Sequence, residues 1–571
     1  MKHQRVMILG AGKIGRGFVA DVFYAAGSRL VFVDAAKGLI DSMNERGRYE
    51  ILRLPDETNG DSVVIEGYAA YCTDDPRAVE EFIHIDGLAL ALFPRDFDAA
   101  ADMIAAGVAA RRKAGVTAPL IVYICTNTPD SKAIFRASLD RAAEKCGVML
   151  NDALRLAECI VIRMAVQPSA EQLAKDPLVV VTNGYRELIV DSSEIQDLLP
   201  DVPALKFTDR LAQDEERKLY TYNMLHALYA YLGLPKGLTT VYECTCDSEI
   251  QAVAKGALAE ISQALITAYS YTQAEMDSWI AVVLKNMQNP ILNDSLVRVG
   301  GDPVRKLKRH DRLTGAAMRC IENGVYPYFL SKALAGAFCF APEGDPSAAD
   351  VQALLRQEGV RAAARQLCSL ELEPVLVQMI AESYADALAG TTFAYDPVEI
   401  ALLKKAYTGG FFSEVKYRAC CQALLINLFE IFGNEDPELF RVTTGFSGGM
   451  AITGDGVCGG YSGGILYMGK FAGRRLAETK IDGDKKLQYL SYEMSQQLHD
   501  LLTDTFGTVV CSGVHKSIFG QSYRLRTKPV RNAFEEAGAH TSKCTTVIAM
   551  SSMLTVRILL QRKLISAKDL V

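Results

Sequence analysis

One short segment constrains this chain more than any other. Gly10-Ala11-Gly12-Lys13-Ile14-Gly15 follows an apolar run, Arg5–Leu9, that reads as a β-strand, and it opens a helix reaching Phe23. The first glycine permits a tight turn, the second lets backbone approach a pyrophosphate, and the third allows close helix–strand packing. The helix N-terminus adds free N–H donors and the positive end of a dipole. A second strand, 29–33, leads into Asp34, 19 residues after Gly15. A carboxylate there accepts hydrogen bonds from a ribose 2′-hydroxyl and repels a 2′-phosphate, which predicts NAD(H) rather than NADP(H). The expected cofactor-binding residues are Gly10, Gly12, Ile14, Gly15 and Asp34. The alternative, a glycine-rich turn beside a surface aspartate, leaves the strand–turn–helix context unexplained.

Further apolar runs at 87–93 and 120–125 alternate with helical stretches. This predicts an α/β Rossmann-type N-terminal domain over 1–188, a parallel sheet with helices on both faces. Long amphipathic helices, such as 216–232 and 250–269, then mark a mostly α-helical substrate domain over 189–390. A third, mostly α-helical Cys-containing domain is expected over 396–571, with helices at 416–432, 485–505 and 544–564 around a glycine-dense segment, 445–469. The chain has 571 residues, enough for about three domains.

The net charge of −7 provides no basic footprint for nucleic acid or for a polybasic membrane contact. No run of about 18 apolar residues is read as a membrane span. The apolar stretch near the N-terminus is too short for a signal-peptide core, so a cytoplasmic location is expected. The 14 cysteines are scattered, as reduced thiols, metal ligands or redox thiols are, rather than a disulfide framework.

Hydride chemistry on an alcohol needs a base for the hydroxyl proton and donors for the developing alkoxide. Lys218, Asn223 and His226 offer such a set. On a regular helix they share an arc of about 140°, and a partly buried lysine can lose its proton readily enough to act as a base. A solvated lysine, a surface asparagine and a core histidine would show the same spacing.

These residues also carry a resemblance. Lys218, Asn223 and His226, within Arg217-Lys218-Leu219…Asn223…His226-Ala227, reproduce the Lys-x4-Asn-x2-His signature of the polyol-specific long-chain dehydrogenases. Residues 10–17 resemble the mannitol-1-phosphate 5-dehydrogenase branch of that family. Asp302-Pro303-Val304-Arg305-Lys306-Leu307 and Asp311-Arg312-Leu313 also look like family segments, and the resemblance covers roughly 5–385. It implies Lys218 as general base, Asn223 and Asn127 as donors to the reacting oxygen, His226 as a substrate-binding or orienting group, and no catalytic zinc. It further implies interconversion of mannitol 1-phosphate and fructose 6-phosphate or an analogue, with hexuronates and free polyols as alternatives. Arg305, Lys306 and Arg312 suit a substrate phosphate, or equally a structural ion-pair network. Asn183 and Leu188 replace a Glu and a Trp frequent in the family, which bears on the substrate more than on the chemistry.

The C-terminal cysteines are Cys420, Cys421, Cys458, Cys511 and Cys544. Each alone reads as a buried small side chain. As a set, over about 400–560, they resemble a redox-active family named for the pattern Cys…Gly-Cys-Ala-x-x-Gly…Cys…Cys, with Cys420 or Cys421 first and Val457 before the central cysteine. Four thiolates suit an iron–sulfur cluster, another metal or disulfide exchange. A second class of function therefore stands beside the dehydrogenase: a thiol or cluster redox carrier or sensor with an NAD-binding module.

Overall fold

The computed structural model describes residues 5–55, 60–128, 130–292, 294–480 and 485–570. The chain divides into two compact units, Met1–Glu216 with Gln288–Asn293, and Arg217–Met287 with Asp294–Val571.

The first unit is built on a twisted sheet. Its strands are β1 (Arg5–Leu9), β2 (Arg29–Asp34), β3 (Ala69–Cys72), β4 (Gly87–Leu90), β5 (Leu120–Ile124), β6 (Leu154–Ile160), β7 (Leu188–Asp191) and β8 (Leu205–Thr208). They lie in the order β3-β2-β1-β4-β5-β6-β7-β8. The pairing is parallel except where β7 runs antiparallel to β6. This is the doubly wound order, with the topological switch between β1 and β4. β1, β4 and β5 read as unbroken apolar runs because both faces of these strands are covered. Phe18, Phe23 and Phe32 belong to the layer on one face, and Phe82, Phe97 and Phe135 to the layer on the other. The sheet continues to Thr208, past the boundary expected at 188. A second sheet orders Asp61–Glu66, Arg48–Arg53, Val180–Thr182 and Ala165–Val166.

The helix after β1 opens as a π-turn, Gly15–Val19, and continues as α1 (Ala20–Ala25). From β8 the chain enters α2 (Leu211–Lys218). The second unit is helical. Its first part includes α3 (Met224–Gly233), α4 (Ser248–Ala268), α5 (Tyr328–Cys339) and α6 (Pro374–Leu388). Its last part is a bundle of α7 (Pro397–Tyr417), α8 (Cys420–Phe432), α9 (Gly459–Ala472), α10 (Lys486–Phe506), α11 (Cys511–Phe519) and α12 (Cys544–Gln561). Ion pairs join the parts, Lys404 to Glu260 (2.7 Å), Lys543 to Glu373 (3.0 Å) and Arg557 to Glu382 (2.9 Å).

Two sequence expectations change here. The helix expected at 416–432 is broken: Arg418 adopts left-handed backbone (φ 51°), ending α7 before α8 starts. The segment Ala539–Gln561 is long and apolar enough by composition to cross a membrane, but 83% of its apolar 18-residue stretch is buried. Its apolar character is that of the bundle's central helix.

Candidate functional site

The glycine turn behaves as its spacing requires. Gly10 has φ +97°, and a Cβ there would lie 2.4 Å from the Ala91 carbonyl oxygen. A Cβ on Gly15 would lie 1.9 Å from the Gly10 carbonyl oxygen. A Cβ on Gly12 meets nothing within 4 Å, because Gly12 borders open space. That space is a cavity of about 670 Å³ at the carboxyl ends of β1, β2 and β4, bordered by Gly10, Gly12, Asp34, Thr73, Ala91 and Phe93. Asp34 is held by backbone: Oδ2 accepts from the Ala11 N–H (2.7 Å) and Oδ1 from the Ala36 N–H (2.8 Å). Bare backbone at Gly12 and a fixed carboxylate at the end of β2 fit the pyrophosphate and ribose of a dinucleotide. Gly15 and Ile14 do not border the cavity; they pack the turn against the sheet. Sequence reading did not single out Arg16, which is buried and donates from Nε to the Ala11 carbonyl (2.7 Å), clamping the loop from behind.

Lys218 closes α2 and is 7% exposed. The helix does not continue regularly from it. Residues Leu219–Asn223 form a π-turn, with the Met224 N–H on the Leu219 carbonyl five residues back. The 140° arc assumed an unbroken α-helix. In an i→i+5 turn, Asn223 stands over Lys218 about as residues i and i+4 stand in an α-helix, so the two polar groups are drawn onto one narrow face. Thr221 and Trp279 brace the turn. The Thr221 hydroxyl donates to the Arg217 carbonyl (2.5 Å) and accepts from the Trp279 Nε1–H (2.8 Å). Arg217 lies 4.7 Å from the Trp279 ring centroid and 4.9 Å from that of Tyr271. His226 Nε2 faces Asp294 Oδ2 at 3.3 Å. Burial, with Arg298 and Arg312 nearby, pushes His226 down to about 3, so the ring is neutral. Asn127 sits exposed just beyond β5 in the first unit.

The three candidate phosphate ligands have partners within the protein. Arg305 pairs with Asp302 (2.8 Å) and Asp311 (3.5 Å), and Arg312 with Asp311 (2.7 Å). Lys306 is buried, donates to the Val299 carbonyl (2.8 Å), and is pushed down to about 8 mainly by desolvation. Arg305 and Arg312 form the ion-pair network that the sequence left as an alternative, and Lys306 is tied to backbone rather than to a carboxylate.

The C-terminal cysteines divide. Cys420, Cys458, Cys511 and Cys544 border one cavity of about 210 Å³. Cys420, Cys458 and Cys511 stand at the first residue or N-cap of α8, α9 and α11, while Cys544 follows a π-turn, Ala539–Lys543, whose Ala539 carbonyl already accepts the Cys544 N–H. Three positive helix ends thus face sulfur, which favours thiolate. Burial opposes this and pushes Cys458 and Cys511 up to about 12. Cys421 does not border the cavity; it is buried among Ser462 and Thr443. Gly459, after the central cysteine, is required by close approach, since a Cβ there would lie 2.2 Å from Cys420 Sγ. Gly448 to Ile452 run with φ from +50° to +68° through Met450 and Ala451, a left-handed turn costing about 1–2 kcal/mol per non-glycine residue. It borders the cavity and gives the Gly448 N–H to Cys420 Sγ (3.4 Å). Backbone strain of this kind collects at functional sites. Among the described residues, however, no group of three His, Cys, Asp or Glu side chains is placed to hold a metal ion. The expected iron–sulfur cluster or other thiolate-bound metal therefore finds no converged ligand set. The sulfurs border a shared space from four separate helices.

A dinucleotide crevice at the switch of a doubly wound sheet, followed by a helical unit with a buried lysine–asparagine face, defines an NAD-dependent dehydrogenase acting on CH–OH groups. The chain belongs to the mannitol dehydrogenase family: its Rossmann domain matches residues 4–203 and its C-terminal domain 211–388, and residues 418–558 match the family described as "Putative redox-active protein (C_GCAxxG_C_C)". Two solved structures share the fold. One is a D-sorbitol dehydrogenase in substrate-free form, 14% identical over 69% of this chain and 94% of its own (TM-score 0.59). The other is the Pseudomonas fluorescens mannitol 2-dehydrogenase, in a ternary complex with NAD and D-mannitol, 18% identical over 68% of this chain and 93% of its own (TM-score 0.51).

Proposed function

We propose that the chain interconverts a hexitol, or its phosphate, and the corresponding ketose, with Lys218 as general base. The observation that carries this is the burial of Lys218 one π-turn from Asn223. A lysine kept from water sheds its proton more readily than a solvated one, and the Asn223 amide supplies a donor for the oxygen that gains charge. NAD, held by the glycine turn and Asp34, supplies the hydride acceptor. Mannitol 1-phosphate and fructose 6-phosphate are the first substrates to try, on the resemblance of residues 10–17. The internal pairing of Arg305, Lys306 and Arg312 supports a free polyol as the second reading.

NADH oxidation is measured with fructose 6-phosphate, fructose and hexuronates. Lys218→Ala is expected to lower turnover by about 10²–10⁴-fold while NADH binding, followed by fluorescence, is retained. Equal turnover in both proteins would remove Lys218 as the base. Preference for fructose over its 6-phosphate would decide for the free polyol. For the C-terminal cysteines we infer thiol–disulfide chemistry, supported by four cysteines on one cavity, three of them at helix N-termini.

A further inference from the structure

The cysteine cavity contains one group that thiol chemistry needs and that the family pattern does not include. Glu414, on the last turn of α7, borders the cavity and is 2% exposed. Among the described residues, its Oε2 is buried without a hydrogen-bond partner. Its Oε1 lies 3.5 Å from His540 Nε2, and His540 Nδ1 lies 2.7 Å from Glu535 Oε1. The Glu535 side chain is 40% exposed and sits 3.6 Å from Arg418. A line of titratable groups thus runs from the wall of the cysteine cavity to the surface.

We propose that Glu414, His540 and Glu535 form the route by which protons leave and re-enter the cysteine cavity, with Glu414 exchanging them with the thiols. This deepens the reading of these cysteines as redox thiols and rests on it. A thiol must lose its proton before its sulfur attacks. These thiols are buried, so water is a poor acceptor. The titratable groups that share the cavity with Glu414 are Arg418 just past the end of its own helix, Cys420, Cys458, Cys511 and Cys544 from four other helices, His540 from the turn before α12, and Arg531 and Glu535 from the helix Lys528–Glu536. His515 also borders the cavity, with Nε2 3.5 Å from Cys511 Sγ. Its Nδ1 accepts the Tyr523 N–H (3.4 Å), so the neutral ring carries its proton on Nε2 and donates to sulfur. That leaves His515 unable to take the Cys511 proton. Glu414 is suited to the task, because burial pushes it up to about 8, between an ordinary carboxyl and the thiols.

The step balances as follows. A cavity thiol gives its proton to Glu414, and the thiolate attacks one sulfur of a small disulfide. The new S–S bond forms as the old one breaks, and the leaving thiolate takes up a proton. One cysteine is oxidised to a mixed disulfide and one half of the small disulfide is reduced to a thiol.

The test uses the reduced full-length chain and peptide-resolved mass spectrometry. Two probes are followed from about pH 6 to about pH 10: alkylation by iodoacetamide, and exchange with an aryl disulfide. The exposed Cys146 and Cys246 serve as internal controls. In wild type, labelling of the cavity cysteines should rise through about pH 8. Glu414→Gln should slow it at least about tenfold near pH 8, with the gap closing where hydroxide removes the proton directly. Glu414→Asp should restore part of the rate. Glu535→Gln, a substitution of a surface side chain, should slow it less. Superimposable profiles for wild type and Glu414→Gln, or cavity thiols inert to iodoacetamide at every pH in wild type, would overturn the proposal. Carboxyl-dependent alkylation without disulfide exchange would uphold the proton route and remove the redox reading.

Discussion

Asp34 in the first unit and Glu414 in the second are both carboxyl groups beside a candidate site, and the protein treats them oppositely. Asp34 has an N–H donor on each oxygen, both from backbone within the same loop system. Its position is fixed and its charge compensated, as binding a ribose requires. Glu414 leaves one oxygen buried and unpartnered, an arrangement that costs about 1–3 kcal/mol for a neutral group and more for an ion. A group held in that state is poised to gain or lose a proton rather than to hold a ligand by fixed geometry. The carboxylate of the first site is fixed by backbone from the turns after β1 and β2; the second site is made by side chains brought from separate helices.

The largest expected effect tests the backbone site. Gly12→Val should fold, since a side chain there enters open space, yet lower NADH affinity at least about 100-fold by filling the pyrophosphate position. Gly15→Ala should instead destabilise the fold by about 1–3 kcal/mol, because its Cβ has no room against the Gly10 carbonyl. Titration calorimetry and thermal melts separate the two. Similar losses of stability in both variants would erase the distinction between a binding and a packing glycine.

A middle-sized effect concerns Asp34. Asp34→Ala should weaken NADH binding about tenfold, from lost hydrogen bonds to ribose, and narrow the preference for NADH over NADPH. An unchanged cofactor ratio would mean that the carboxylate serves the loop alone.

The last effect is on stability, at Glu414. Its folded-state value is raised, so its contribution is fully present below the unfolded value near 4.5 and is lost as pH rises through about 8. Wild-type Tm should therefore fall between about pH 5 and about pH 9 more than that of Glu414→Gln, which has no buried charge to form. Parallel melting curves would place the Glu414 carboxylate in contact with solvent or a cation.

The Lys218 face shows how far local sequence reading reaches. Lys218, Asn223 and His226 were identified by spacing and resemblance, but the regular helix assumed for them was wrong in its middle. The π-turn depends on Thr221 bonding to Trp279, 58 residues later, a contact that no local pattern carries. Cys420 and Cys421 were indistinguishable in sequence. Both lie on α8, where successive side chains point about 100° apart, so that Cys420 borders the cavity and Cys421 is buried beside Ser462 and Thr443. The break at Arg418 places Glu414 near Cys420, across what periodicity presented as one continuous helix, so neither Glu414 nor His540 stood out before folding.

By itself the sequence determined the doubly wound sheet, the glycine turn with its acidic partner, the family's lysine–asparagine–histidine signature and the fused cysteine domain. These are all short-range: strand and helix periods, turn residues and fixed spacings act within a few turns of chain. The tertiary structure alone decided which cysteines share a cavity, which cations are already paired, and which carboxyl is left without a partner. Those outcomes depend on desolvation and on hydrogen-bond partners from distant helices, and burial is a property that a residue acquires only when the rest of the chain packs around it.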